Sequence, residues 1–275
     1  MSVETLWLVN GERTGVDPAD RGLAYGDGLF ETMAADSGEI RWLDWHFERL
    51  EEGCRRLEIP APARDVVERE IATHCPTGRR AVVKLIVTRG PGSRGYRPPQ
   101  SPHPTRILSV SPWVDYAQTF YTEGVHVHVC GLRLGENPAL AGIKHLCRLE
   151  QVLAHLELSG SDAQQGLLLD VGGRVVSGTS SNVFAVYDSQ IVTPALTRCG
   201  IKGVMRRAVM AASGDLGLVV AERDLTLSDV LAAAEVFVTN ALFGIWPVVR
   251  LDAKRFVLGP VTQRLMRHFG FGGHA

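Results

Sequence analysis

Hydrophobic residues recur along the first part of the chain with two different spacings, and each spacing predicts a different element. In 43-LDWHFERLEEGCRRLEI-59 they follow the helical period, so we predict a helix that ends before Pro60. A second helix is predicted over 64–74. Apolar and alternating runs predict strands at 6–9, 29–35, 40–42, 81–87 and 106–113.

The pattern changes near residues 113–123, which we interpret as a connection between two domains. After it, we predict a strand at 124–132 and a helix from about His145 to Leu158. Further strands are predicted at 166–170, 174–176, 183–187, 191–193, 216–221, 236–239 and 246–251, and further helices near 203, 227–233 and 261–268. Many neighbouring strands are expected to be antiparallel, so we predict an α+β protein. The predicted domains are 1–114 and 123–275, with a linker at 115–122.

The amino-acid composition mainly excludes classes of function. The net charge is −1 over 275 residues, so we expect binding neither to nucleic acid nor to an anionic membrane. No apolar run approaches the roughly 20 residues that span a bilayer, and we expect no signal peptide. The five cysteines form no C-x-x-C pair, which favours a reducing cytoplasm over a disulfide framework or a zinc site.

Common catalytic motifs give no positive prediction. The glycines of 89-RGPGSRG-95 do not follow the strand, G-x-G-x-x-G and helix order of a dinucleotide site. His126 and His128 alternate on one predicted strand, which is a spacing that a metal site can use. No carboxylate or third histidine is near them in sequence, so we predict a half-buried structural pair and no metal.

Lysine is scarce in this chain, which makes each lysine a candidate for chemistry. It occurs only at Lys84, Lys144, Lys202 and Lys254, whereas arginine is found throughout. An amine can lose its proton near neutral pH and attack a carbonyl, which a guanidinium cannot do. Lys144, in 141-AGIKHLCRLEQVL-153, is the leading candidate, and the alternative is a solvated residue at the start of a helix.

Four other segments are suited to binding anions or polar ligands. The helix predicted after Gly203 would present free N–H groups to a phosphate. The hydroxyl-rich segment 175-VVSGTSSNVF-184 suits either a polar ligand or a simple turn, and Thr239 and Asn240 follow a buried strand. In 46-HFER-49, Arg49 is predicted either to pair with Glu52 or to bind a phosphate.

The order of these segments resembles that of the class IV, or fold-type IV, family of pyridoxal-phosphate enzymes. This family contains branched-chain and D-amino-acid aminotransferases and 4-amino-4-deoxychorismate lyases. The resemblance runs from 20-DRGLAYGDGLFET-32 to 246-WPV-248, and the R-G-x-G-x-R-G-Y run at 89–96 and the I-K-H-L-x-R-L-E-Q run at 143–151 resemble the lyases most. It implies a two-domain fold, with a small N-terminal α/β sandwich and a larger, barrel-like C-terminal domain.

The resemblance also implies roles for individual residues around pyridoxal phosphate. Lys144 matches the lysine that binds the aldehyde, and Arg49 matches an arginine that binds the phosphate. The other matched cofactor-binding positions are Ser177, Asn182, Gly203, Val204, Met205, Thr239, Asn240 and Ala241. These roles agree with chemistry, since a phosphate dianion favours a helix N-terminus and an arginine fork.

Ser177 departs from the aminotransferase pattern, in which a glutamate bonds the pyridine nitrogen of the cofactor. A carboxylate keeps that nitrogen protonated and makes the cofactor a strong electron sink, whereas a hydroxyl cannot hold the proton. A cofactor that withdraws electrons less strongly disfavours transamination, in which the negative charge must be held on the cofactor until a proton is added. It suits an elimination, in which the leaving group departs as the charge forms.

The resemblance further implies a small-molecule substrate with two carboxylates, and a homodimer. Arg89 and Arg94 are predicted to bind the carboxylates, although a solvated loop is the alternative for both arginines. Tyr25, Phe30 and Tyr96 are predicted to pack against the substrate ring.

The leading functional hypothesis is a cytoplasmic lyase of the class IV family that forms 4-aminobenzoate and pyruvate from 4-amino-4-deoxychorismate, a reaction of folate synthesis. One alternative is an aminotransferase of D- or branched-chain amino acids on the same fold, against which Ser177 argues. A second alternative is a scaffold that holds pyridoxal phosphate without catalysis.

Overall fold

A computed structural model describes residues 4–188 and 190–272. The helices are α1 (Arg21–Tyr25), α2 (Leu43–Leu57), α3 (Arg64–His74), α4 (Thr119–Thr122), α5 (Leu149–Glu157), α6 (Val204–Asp215), α7 (Leu227–Ala232) and α8 (Pro260–His268). The strands are β1 (Leu6–Val9), β2 (Gly28–Asp36), β3 (Glu39–Ile40), β4 (Arg80–Thr88), β5 (Thr105–Pro112), β6 (Val125–Leu134), β7 (Gln165–Asp170), β8 (Arg174–Gly178), β9 (Asn182–Tyr187), β10 (Gln190–Thr193), β11 (Val219–Glu222), β12 (Leu225–Thr226), β13 (Glu235–Asn240), β14 (Gly244–Leu251) and β15 (Lys254–Arg255). The predicted α+β class is confirmed.

The described chain divides into two compact units. The first runs to Val114 and also contains Ile143–Cys147, and the second contains Asp115–Gly142 and the chain from Arg148 onward. The sequence analysis assigned 143–147 to the second domain, but its backbone hydrogen-bonds to β2 of the first unit. Residues 115–122, predicted as a linker, belong to the second unit and contain α4.

The first unit is built on a five-stranded antiparallel sheet with the order β1-β5-β4-β2-β3. Side chains alternate across the sheet, so Leu29 and Met33 of β2 face the same side and are buried. Helix α2 lies against this face, and its Gly53 leaves no room for a side chain, because a Cβ there would lie 2.7 Å from Leu29 Cδ2. The opposite face of the sheet carries Phe30 and Thr32.

The second unit is built on a ten-stranded mixed sheet. Its order is β11-β10-β9-β13-β14-β6-β7-β8-β12, and β15 pairs with β14. Phe184 of β9 stacks on Phe237 of β13 at 4.8 Å between ring centroids, and both rings are fully buried. Helix α6 packs against β13. Within the described parts of the chain, no helix has both the length and the apolar character needed to cross a membrane.

Candidate active site

Lys144 is held by backbone pairing with a strand. Its carbonyl accepts a hydrogen bond from Phe30 N–H at 2.9 Å, and Leu146 N–H donates to Gly28 O at 3.0 Å. Because residues 144–146 pair with β2 in this way, the helix predicted from His145 begins only at Leu149. The Lys144 ammonium lies 4.2 Å from the centroid of the Phe30 ring, within cation–π range. Two predicted site residues, Lys144 and Phe30, are therefore in contact.

Arg49 is paired with Glu31, and this corrects the predicted alternative of Glu52. The Arg49 Nε donates to Glu31 Oε1 at 2.7 Å, and a second guanidinium nitrogen bonds Oε2. His46, one turn earlier on α2, lies with its Nδ1 2.6 Å from the same carboxylate. Glu52 instead pairs with Arg55 on the exposed side of the helix. A fork of Arg49 thus binds a buried carboxylate bidentately, which fixes its orientation.

The charge state of this cluster follows from burial and pairing. Burial alone would raise the pKa of Glu31, but the charge of Arg49 and the hydrogen bonds from His46 and Arg49 outweigh it and lower the pKa to about 2. Burial lowers the pKa of His46 despite its contact with Glu31. At neutral pH the cluster is therefore a neutral imidazole whose Nδ1–H donates to an ionised Glu31, which is also bound by an ionised Arg49.

This arrangement predicts an acid-sensitive first unit. Because the pKa of Glu31 is lowered from 4.5 to about 2, its stabilising contribution is complete above pH 4.5 and is lost as the pH falls towards 2. We expect the free energy of unfolding to fall by about 3 kcal/mol over this range through Glu31. Denaturant unfolding followed by tryptophan fluorescence at several pH values measures it.

The control for this experiment is a matched pair of carboxylate variants. Glu31→Gln should be less stable at pH 7 and should show a smaller change between pH 4.5 and 2, because it has no carboxylate to titrate. Glu52→Gln removes an exposed partner of Arg55 and should leave the acid dependence as in the parent protein. If the unfolding free energy of Glu31→Gln fell between pH 4.5 and 2 by as much as that of the parent, Glu31 would not be the source of the acid sensitivity.

In the second unit, the side chain of Asn182 binds the backbone just before the N-terminus of helix α6. Its Oδ1 accepts from Gly203 N–H at 3.1 Å, and its Nδ2 donates to Ile201 O at 2.8 Å. A Cβ at Gly203 would lie 2.1 Å from Asn182 Oδ1, so glycine is required by this close approach. None of the described side chains caps α6, whose first residues are Val204 and Met205. The first N–H groups of a helix that lacks such a cap suit an anion.

Thr239 carries a buried hydroxyl without a partner. It lies opposite Asn182 in the β9–β13 ladder and is 0% exposed. Within the described residues its Oγ1 has no hydrogen-bond partner. Buried hydroxyls normally have a partner, so this one is suited to a bound polar group. Asn240 follows it and closes the turn after β13, where its Oδ1 accepts from Leu242 N–H and Phe243 N–H, both at 2.9 Å.

The hydroxyl-rich segment folds around a glutamine that sequence reasoning did not identify. Gln165 is 4% exposed, and its Oε1 accepts from the hydroxyls of Thr179, Ser180 and Ser181 at 3.1–3.2 Å. These hydroxyls are therefore structural. Ser177 is separate from this network, on β8 opposite Leu168, and is 9% exposed. Its hydroxyl bonds none of the residues that the structure describes.

Arg89 has a structural role that the sequence analysis did not predict. Its Nε and Nη2 bind the carboxylate of Asp27 at 2.8 and 3.0 Å. The remaining nitrogen, Nη1, donates to Glu58 O, and Nη2 also donates to Leu57 O. Arg89 is 8% exposed, and all three of its guanidinium nitrogens are bonded within the first unit. It therefore joins the loop that begins at residue 89 to the end of α2 and the start of β2, and it is not available to bind a substrate carboxylate.

A second buried arginine holds the loop that carries Arg94 and Tyr96. Arg21 binds Asp27 at 2.8 Å and donates to the carbonyls of Gly95 and Tyr96 at 2.9 and 3.0 Å. The ring of Tyr25 lies 5.3 Å from that of Tyr96. Arg94 is exposed and makes no ion pair with the described residues. The structure therefore brings Tyr25 of α1 against Tyr96 of the anchored loop that also carries Arg94.

Other features of the described residues do not join the candidate site. His126 and His128 each bind a separate carboxylate, from Asp162 and Asp252, at 3.0 and 2.9 Å. No cluster of metal-ligating side chains is found in residues 4–188 and 190–272. A cavity of about 280 Å³ in the first unit includes Arg80 and Trp113 in its lining but no predicted site residue.

Glu31 is the member of the site that sequence reasoning missed. The signal was present, because Leu29, Glu31, Met33 and Ala35 alternate on the buried face of β2. An acidic residue at a core-facing position needs a buried cation, and His46 and Arg49 are three residues apart in a predicted helix and so lie on one of its faces.

Comparison with known proteins identifies the family. The sequence model of the amino-transferase class IV family matches residues 28–251. A protein of Vibrio harveyi named aminodeoxychorismate lyase is 36% identical over 94% of this chain and 98% of its own length. A Methanocaldococcus jannaschii protein named putative branched-chain-amino-acid aminotransferase is 31% identical over 91% of this chain and 88% of its own.

A solved structure gives the same result and confirms the predicted fold. The crystal structure of 4-amino-4-deoxychorismate lyase from Pseudomonas aeruginosa superposes with a TM-score of 0.92 and 46% identity, and the match covers 96% of this chain and 98% of that one. Sequence and structure therefore agree with the resemblance found in the motifs, and the chain belongs to the class IV aminotransferase family.

Proposed function

We propose that this chain is a pyridoxal-phosphate-dependent lyase that forms 4-aminobenzoate and pyruvate from 4-amino-4-deoxychorismate, in folate synthesis. The observation that carries this proposal is the likeness, over nearly the whole chain, to two proteins that bear the name of this lyase. The placement of Lys144 over the Phe30 ring is consistent with it.

The residues present fit pyridoxal phosphate. The unpartnered hydroxyl of Thr239 and the uncapped start of α6 at Val204 and Met205 offer donors to a phosphate, and Asn182 holds that helix start in place. Asn240 and Ala241 follow Thr239 on the same segment. Arg49, oriented by Glu31, would add a charge-assisted hydrogen bond to the phosphate. When bound, the cofactor would withdraw electrons from the amine-bearing carbon of the substrate.

Lys144 would carry out the proton transfers of the reaction. Its amine would hold the aldehyde of the cofactor, and as a free amine it would be the base that removes the proton from the amine-bearing ring carbon of the substrate. The ether bond to the enolpyruvyl group then breaks and the ring becomes aromatic. A proton from Lys144 or from water completes pyruvate. Phe30 would lie under the reacting ring and exclude water from that side of the Lys144 amine.

The direct test of the function is product formation by the purified holoenzyme. Addition of 4-amino-4-deoxychorismate should give fluorescent 4-aminobenzoate and an equal amount of pyruvate. Cofactor absorption without either product would favour the scaffold alternative. Turnover of D-alanine or leucine with a keto acid, in the absence of 4-aminobenzoate formation, would favour the aminotransferase alternative, which the likeness to the M. jannaschii protein supports.

Ser177 separates the lyase from the aminotransferase. We propose that its hydroxyl, which is bonded to none of the described residues, lies at the pyridine nitrogen of the cofactor. Ser177→Glu should then raise transamination of D-alanine relative to lyase turnover, because a carboxylate holds the proton on that nitrogen. Ser180→Glu, in the structural hydroxyl loop, is the matched control. An unchanged ratio of the two activities in Ser177→Glu would remove the physical argument for the lyase.

The loop that carries Arg94 completes the proposal. Arg94 is exposed and Tyr96 is 85% exposed, although Arg21 fixes the backbone beside them. We propose that Arg94, Tyr25 and Tyr96 contact substrate in a homodimer, as the family resemblance implies. Sedimentation analysis of the holoenzyme tests the dimer.

A further inference from the structure

The face of the first sheet that lies opposite α2 carries a row of polar side chains. Strand pairing places Trp7 opposite Ser109, Ser109 opposite Lys84, and Lys84 opposite Thr32. Directly opposed residues of antiparallel strands point to the same side of a sheet, so these four side chains share one face. Glu31, the neighbour of Thr32, points to the other side and binds Arg49 of α2.

Lys84 is a cation without an anion in this row. It is half-buried, and none of the carboxylates in residues 4–188 and 190–272 forms an ion pair with it. Nor do the hydroxyls of Ser109 and Thr32, its two cross-strand neighbours, bond any of the described residues. By contrast, Arg106 on the α3 side of the sheet is bound by Glu70. A partly buried ammonium flanked by two available hydroxyls has the composition of a carboxylate site.

This row adjoins Lys144 through a shared aromatic ring. The ammonium of Lys84 lies 5.2 Å from the centroid of Phe30, and that of Lys144 lies 4.2 Å from the same centroid. The two ammonium groups are therefore at most 9.4 Å apart, which follows from those two distances. The ring of Phe30 is thus contacted by both lysines.

We propose that Lys84 binds the ring carboxylate of the substrate while the substrate's amine reacts beside Lys144. This inference rests on the proposed lyase function and adds a substrate-binding residue to it. In a six-membered ring with para substituents, bonds of about 1.5 Å place the amine nitrogen roughly 6–7 Å from the carboxylate oxygens. A charge-assisted hydrogen bond adds about 2.8 Å, so the ring is long enough to place its amine beside Lys144 and its carboxylate at the ammonium of Lys84, which lies within 9.4 Å of Lys144.

The proposal also accounts for selectivity. A simple amino acid has its only carboxylate one carbon away from its amine, so its carboxylate extends less far towards Lys84 than that of the para-substituted ring when the amine is beside Lys144. The para-substituted ring reaches both. Lys84 would therefore favour the aromatic substrate over the amino acids that aminotransferases use.

The experiment compares ligands with and without the carboxylate on charge-altered variants. Lys84→Met in the holoenzyme should weaken binding of 4-aminobenzoate about 10- to 100-fold, the effect of one charge-assisted hydrogen bond. Binding of aniline, which lacks the carboxylate, should not change. Calorimetric titration measures both affinities, and KM for 4-amino-4-deoxychorismate should rise more than kcat falls. Lys84→Arg should retain part of the preference for 4-aminobenzoate.

A matched control is available on the same chain. Lys254 also lies over an aromatic ring, 5.7 Å from the centroid of Phe256, but it is exposed and on β15. Lys254→Met should leave both affinities unchanged. All variants should show the parent's absorption band of the lysine-bound cofactor and the parent's thermal unfolding temperature. If Lys84→Met does not fold, Lys84→Gln replaces it in the two binding measurements.

Two results would overturn the role of Lys84. Equal affinity of parent and Lys84→Met for 4-aminobenzoate would show that the ammonium does not bind the carboxylate. An equal loss for 4-aminobenzoate and aniline would show a structural effect instead. Failure of the parent holoenzyme to form 4-aminobenzoate is a separate outcome that overturns the proposed function, whereas an active parent with an unaffected Lys84→Met overturns this inference alone.

Discussion

Lys144→Ala should abolish covalent attachment of pyridoxal phosphate and lower lyase turnover by at least about 10³-fold. The reason is that one amine would bind the aldehyde and also move the protons of the reaction. Because Lys144 is held through its backbone to β2, removal of the side chain should leave the fold intact. Borohydride reduction, proteolysis and mass spectrometry of the parent should find the pyridoxyl group on Lys144, and circular dichroism of the variant should match the parent.

The control for this prediction is Lys254→Ala, which removes an exposed lysine of β15. It should retain the adduct on Lys144 and the absorption band of the bound cofactor. An adduct on Lys84, Lys202 or Lys254 of the parent would contradict the assignment of the 141–153 segment.

Arg49→Ala should have two separable effects. Loss of the contact with the phosphate should weaken cofactor binding by about 2–4 kcal/mol. Loss of the cation beside the fully buried Glu31 should also destabilise the first unit, by about 3–5 kcal/mol, because a buried carboxylate is left without its charged partner. Equilibrium dialysis of pyridoxal phosphate and denaturant unfolding of the apoprotein measure the two effects.

A double variant separates them. Arg49→Ala with Glu31→Gln removes both charges, so it should recover much of the lost stability but none of the lost cofactor affinity. Arg55→Ala, which breaks the exposed pair with Glu52 on the same helix, should affect neither quantity strongly. Cofactor affinity equal to that of the parent in the double variant would show that Arg49 serves only as the partner of Glu31.

Local periodicity was sufficient for most elements because it reports which side of an element is buried. Helix α3 was predicted at its observed limits, the strand at 81–87 falls within β4, and the strand at 106–113 ends one residue beyond β5. The five-residue helix α1 was missed because it is too short to show a helical period. The helix after Lys144 was predicted to begin too early because the spacing of apolar residues does not reveal a backbone that pairs with a distant strand.

Pairing of charges was the part that sequence spacing predicted poorly. Glu52 lies at i+3 from Arg49 and is a reasonable partner on an isolated helix. Arg49 instead binds Glu31, 18 residues away, because a buried carboxylate needs a buried cation. Arg89 was predicted to bind a substrate carboxylate. In the folded chain its guanidinium instead binds the carboxylate of Asp27, which lies 62 residues before it in sequence.

By itself, the sequence determined the α+β class and the family, and it singled out Lys144 as a candidate for chemistry, because hydrophobic period, motif order and residue type can all be read along the chain. Only the tertiary structure decided which charges meet. It placed Glu31 between His46 and Arg49, and it brought Lys84 and Lys144 to one aromatic ring. The physical reason is that ion pairs and cation–π contacts depend on distances in space, and strand pairing sets those distances between residues far apart in sequence.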